Sequence, residues 1–122
     1  MPVSSVIEVE RRLIITLGEG RITFAEITAN QDRLLKDPEF DSSFDQVIDV
    51  TAAEVLDLTM GEAITVAERR ILSAKSKRAV VATEPAVYGM FRLMEVYHER
   101  HAEVQVFYNL QSALDWLAVG RA

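Results

Sequence analysis

The chain has no cysteine among its 122 residues, which excludes a disulfide framework, a thiolate nucleophile and a Cys-ligated metal. Long apolar runs are also missing. The longest span about five residues, against the ~20 needed to cross a bilayer. Met1-Pro2-Val3-Ser4-Ser5 shows neither the charged start nor the apolar stretch of a secretory signal, so a cytoplasmic location is expected. No Gly-x-Ser-x-Gly elbow is present, and Gly18-Glu19-Gly20 lacks the rest of any phosphate-loop fingerprint. The two histidines, His98 and His101, lie at i and i+3 beside Glu95 and Glu99. A solvated helix end accounts for them, and the stronger zinc signature uses i,i+4. The net charge of −6 repels a phosphate backbone, so nucleic-acid binding is not expected. Neither a catalytic constellation nor a cofactor or metal site is read from these residues, and the expectation is a protein that is not an enzyme.

What is present suits one soluble domain spanning 1–122, with 49% hydrophobic and 26% charged residues. Ser5–Val9 and Leu13–Leu17 read as a hairpin, after which Gly18-Glu19-Gly20 breaks the pattern. Thr23 and Glu26 have capping-box spacing and open a helix with Phe24, Ile27, Leu34 and Leu35 on one side, ending before Asp37-Pro38. Phe40 and Phe44 should pin the polar connector to the core, since its aspartates lack the spacing of a calcium loop. Val47-Ile48-Asp49-Val50 is a short strand followed by a loop over 51–58. Met60, Ala63, Ile64, Ala67 and Ile71 then mark a helix. Ala79–Ala82 is a buried strand, Pro85 opens a helix reaching about His101, and Val104–Tyr108 is the last strand. Asn109 caps a final helix burying Leu110, Ala113, Leu114, Trp116 and Leu117, with Gly120 as its stop. The architecture is β-β-α-β-α-β-α-β-α, an α/β fold with a mixed, mostly parallel five-stranded sheet and four helices.

Four groups of residues are candidates for function. Asp49, inside an apolar strand, could head a ligand rim with Thr51, Thr83 and Glu84, at the strand ends where open α/β sheets bind. Its structural role would be to accept amides from the following loop. Arg69, Arg70, Lys75, Lys77 and Arg78 put five of the 13 cationic residues within ten positions. They complement a helix C-terminus or form an anion patch. The Pro85–His101 helix carries more apolar surface than one sheet contact absorbs. Tyr88, Gly89, Met90, Leu93, Met94, Val96 and Tyr97 are therefore interface candidates, for a second subunit, a protein partner or a small apolar ligand. Finally, Asp57 and Thr59 precede the Met60 helix, where Thr59 with Glu62 also spells a capping box.

The order of elements resembles the STAS domain of anti-anti-sigma factors, and more closely the small SpoIIAA-like proteins grouped with STAS and CRAL/TRIO domains. The likeness spans nearly the whole chain. It rests on Asp37-Pro38-Glu39-Phe40 leading into Val47-Ile48-Asp49-Val50, on Tyr88-Gly89-Met90-Phe91-Arg92, and on Val106-Phe107 through Ala113-Leu114-Asp115-Trp116-Leu117. In the STAS factors a helix opens with Asp-Ser-Ser/Thr-Gly, and its third residue is phosphorylated. Here the stretch is Asp57-Leu58-Thr59-Met60: Asp57 matches and Thr59 keeps a hydroxyl at the modified position, so the resemblance implies Thr59 as a phosphoacceptor, while Leu58 and Met60 depart from that pattern. The resemblance implies a STAS-like interaction or regulatory module, acting as a homodimer or on a protein partner. The alternative it implies is a CRAL/TRIO-like binder of a small apolar or lipid-like ligand.

Overall fold

The computed structural model describes residues 2–98 and 103–120, without the side chains of 96–98. Strands β1 (Val3–Glu8) and β2 (Leu13–Thr23) are antiparallel across a turn in which Arg12 takes a left-handed φ of 52°. Three crossovers follow, through α1 (Phe24–Lys36), β3 (Asp45–Asp57), α2 (Met60–Glu68), β4 (Lys77–Val81), α3 (Pro85–His98) and β5 (Glu103–Phe107), with α4 (Leu110–Ala118) closing the chain. The strand order is β1-β2-β3-β4-β5, parallel from β2 onward. Each crossover steps the same way, so right-handed connections put α1, α2 and α3 on one face. Only α4 is left for the other.

The burial pattern follows from that division. On the α4 face, Leu13, Val47, Ala79 and Val81 pack against Ala113 and Leu117. On the three-helix face, Val50, Val80 and Val106 meet Val87, while Met94 packs between the helices against Ala63 and Val66. Every residue of β4 is buried, as a central strand covered on both faces requires.

Several local expectations are corrected. Gly18-Glu19-Gly20 does not end β2, which runs on to Thr23, and 51–57 is strand rather than loop. The register advances from Leu17/Asp49 to Glu19/Ala52 and from Gly20/Ala53 to Arg21/Val55, so β3 carries one extra residue at each shift. These bulges turn the ribbon and bury Val50, Ala53 and Leu56 at intervals of three, which hides the twofold alternation of a strand. Gly18 eases the packing there, since a Cβ would come within 2.7 Å of Ile22 Cδ1 and 3.0 Å of Val50 Cγ1 and those side chains would have to shift. In α1, Leu35 is exposed and Asn30 and Gln31 are buried instead. Met60 and Leu110 face solvent, each at the first position of its helix. Ile71 is buried but lies beyond α2, which ends at Glu68. Phe44 is buried and Phe40 packs on the same cluster, as the connector requires.

Candidate functional site

A chamber of about 90 Å³ lies between the three-helix face and α1, α2 and α3. Its walls are mostly apolar, with Ile22, Val50, Leu56, Val80, Phe91 and Met94 among them. Its polar side is built by the sheet. Ser5 pairs with Thr16 in register, Ile14 with Gln46, and Gln46 with Arg78. Ser5, Thr16, Gln46 and Arg78 therefore form a polar row on one face of four adjacent strands.

Three members of that row are satisfied. Asn30 of α1 donates from Nδ2 to Ser5 Oγ at 3.0 Å, Ser5 and Thr16 hydroxyls lie 2.7 Å apart, and Gln46 Nε2 donates to Thr16 Oγ1 at 2.8 Å. This chain explains why α1 buries Asn30 in place of Leu35. A buried polar group needs a partner, and the strand hydroxyls supply one.

Arg78 ends the row and has no partner among the described residues. It is 8% exposed, and its Nε is buried without a hydrogen bond. Burial alone pulls its pKa down from 12.5 to about 10. That fall corresponds to about 3 kcal/mol against holding the charge there. The residue stays cationic at neutral pH. No Asp or Glu lines the chamber among the described residues, so Arg78 is its one charge. The other buried orphan among the described residues is Glu26 Oε2, and Glu26 lines a separate crevice with Pro2, Val3, Ala25, Ala29 and Arg33. Thr23 takes the Glu26 amide at 3.3 Å, but only this half of the expected capping box forms.

The remaining basic residues do not converge with Arg78. Arg69 bridges α1 and α2, donating to Gln31 Oε1 at 2.9 Å, Thr28 O at 3.2 Å and Asp32 Oδ1 at 2.5 Å. Lys77 and Arg78 are neighbours in a strand, so they point to opposite faces. Lys77 Nζ donates to the carbonyls of Trp116 and Val119, complementing the C-terminus of α4. Arg70 and Lys75 are exposed and engage other groups.

Asp49 Oδ1 accepts from the Thr51 amide at 3.0 Å and the Thr51 hydroxyl at 2.8 Å. Both residues line a groove with Pro2, Ser4, Leu17, Gly18, Glu19 and Ala52, which includes neither Thr83 nor Glu84. Thr83 is exposed, and Glu84 Oε2 accepts from Val87 N at 2.9 Å in the first turn of α3. Thr59 forms a full capping box, its hydroxyl taking Glu62 N at 3.1 Å while Glu62 Oε1 takes Thr59 N at 2.9 Å. Asp57 is ion-paired with Arg21 on the neighbouring strand.

Of the α3 candidates, Met94 is buried, Met90 is partly buried against α2, and Gly89 is exposed. Leu93 is 50% exposed, and Tyr88 stacks on Tyr108 at 4.2 Å with 4° between the rings. The side chains of Val96, Tyr97 and His98, and the whole of Glu99 and His101, lie outside the described residues. The chamber itself was not foreseen. Its signal was polar residues in otherwise apolar strands, Thr16 in Leu13–Leu17 and Gln46 and Arg78 at the starts of two others.

No family model matches the chain, and no curated protein does. Among solved structures, the chain is similar to an uncharacterized DUF3478 family protein with a SpoIIAA-like fold from Shewanella loihica PV-4. The TM-score is 0.55 at 16% identity, over 86% of this chain and 83% of that one. The fold is thus SpoIIAA-like, and the likeness carries no activity. No helix among the described residues is long and apolar enough to cross a membrane.

Two predictions follow from this geometry. Thr59→Ala removes one half of a complete box and should cost about 1 kcal/mol, read as a lower denaturant midpoint. An unchanged midpoint would remove the cap from the stability account. Arg78→Met replaces an unpartnered buried cation with an apolar chain and should raise stability by about 1–3 kcal/mol in the same measurement. A drop would show that the guanidinium is paired.

Proposed function

We propose that this domain is a non-enzymatic binding module that takes up a small, largely apolar molecule in the chamber beneath α1, α2 and α3. The observation that carries the reading is an apolar chamber at the centre of the fold, with a polar row along one wall. Ligand sites commonly combine apolar walls with a few fixed polar groups. At about 90 Å³ the chamber suits a ligand of about four to six heavy atoms, judged against the roughly 150 Å³ cavity that admits benzene. It is well below the ~300 Å³ at which drug-sized sites begin. The CRAL/TRIO-like alternative is therefore narrowed from a lipid to a much smaller guest.

The test is a titration with 1-butanol, followed through the methyl resonances of Ile22, Val50 and Met94. Saturable shifts at these residues are expected. Shifts scattered over the surface, or none, would contradict the proposal.

A regulatory contact with a second copy is the other reading, favoured by the half-exposed Leu93 and by the Tyr88–Tyr108 stack, whose Tyr108 is 64% exposed beside edge strand β5. A two-fold contact uses one surface twice, so Leu93→Glu would set two like charges against each other. Sedimentation velocity should show a wild-type dimer and a folded mutant monomer. A wild-type monomer at every concentration would sink this reading.

A further inference from the structure

Among the described residues the chamber's one charge has no counter-charge, and that points to the chemistry of the guest. An unpaired buried cation is costly and is ordinarily neutralised by a carboxylate or by deprotonation. Among the described residues no carboxylate does so, and Arg78 keeps its proton at neutral pH. The row of hydrogen bonds from Asn30 through Ser5 and Thr16 stops at Gln46, next to Arg78 in register, and no acidic residue lines the cavity among the described residues. Gln46 gives one amide N–H to Thr16, so among the described residues a second is left over on the residue paired with Arg78 in register.

We propose that the chamber binds a short-chain monocarboxylate, its carboxylate held by the Arg78 guanidinium and the second Gln46 N–H, its alkyl chain among Val50, Val80 and Met94. The assignment rests on the chamber being a binding site. Three features select this class. Arg presents a planar fork that matches a carboxylate with two parallel N–H···O bonds. A single buried cation balances a monoanion, whereas a dianionic phosphate would leave net charge in an apolar cavity. The volume of about 90 Å³ limits the alkyl chain to a few carbons.

Isothermal titration with butyrate, 1-butanol and inorganic phosphate tests both levels of the argument. Butyrate should bind one per chain, about ten-fold or more tightly than 1-butanol, because its bonds to Arg78 are charge-assisted. Phosphate should not compete. In Arg78→Met the order should invert, with 1-butanol bound at least as well as butyrate. Arg78→Lys, which keeps the charge and loses the fork, should retain a reduced preference for the acid.

If wild-type protein binds butyrate and 1-butanol equally, the carboxylate assignment fails while the chamber survives as an apolar site. If it binds neither, and neither raises the melting temperature, both fail and the space holds only water. Tighter binding of phosphate than butyrate would overturn the monocarboxylate class. Should Arg78→Met fail to fold by circular dichroism, the wild-type acid-to-alcohol ratio and the Arg78→Lys variant decide the matter.

Discussion

One-way crossovers govern this molecule. Because every β-α-β unit advances to the next strand in the same direction, three helices must share one face of a five-stranded sheet. They cannot all seat equally on a twisted surface, and α2 and α3 also spend apolar side chains on each other through Ala63, Val66 and Met94. The chamber is the space this arrangement leaves above the sheet. Its counterpart on the opposite face is partial exposure. α4 packs over β3, β4 and β5, so Val6 and Leu17 on the β1–β2 side stay open, 60% and 51% exposed.

Within that frame the polar row is a choice of sequence rather than of topology. A strand pair of this kind could carry valine at 46 and 78 and close the space with methyl groups. Instead, Thr16, Gln46 and Arg78 place hydrogen-bonding groups under the helices, and α1 answers with Asn30. Most of that polarity is mutually satisfied and adds specificity at little net cost. Arg78 is different, for its burial lowers the stability of the resting fold with no partner among the described residues to offset it. Proteins tend to keep such destabilising groups where a site needs them. That is the physical ground for reading the chamber as a binding site rather than a packing flaw.

Much of the fold was legible because its signals are local. Thr23, Thr59 and Asn109 cap α1, α2 and α4 with their own side chains, and Gly120 takes a φ of +75° just past the last helix. The second half of β3 was not legible, because two bulges set its buried positions three apart and erase the alternation. Leu35 misled for another reason. Hydropathy favoured burying it, but the strand hydroxyls that select Asn30 instead come from β1 and β2, distant in sequence. Arg78 was visible as one of five clustered cations, yet only strand parity separates it from Lys77 and turns it inward. The chamber's one local trace is Thr16, Gln46 and Arg78 in otherwise apolar strands, and only the pairing of those strands brings them together.

Binding in the chamber depends on the charge of Arg78 meeting a ligand inside the protein. The most direct measurement is the arginine Nε–H nitrogen–proton correlation spectrum recorded during a butyrate titration. One resonance, that of Arg78, should move downfield and saturate, while those of exposed Arg11, Arg21 and Arg92 stay in place. Absence of any shift, or equal unsaturable drift across all the arginines, would contradict it.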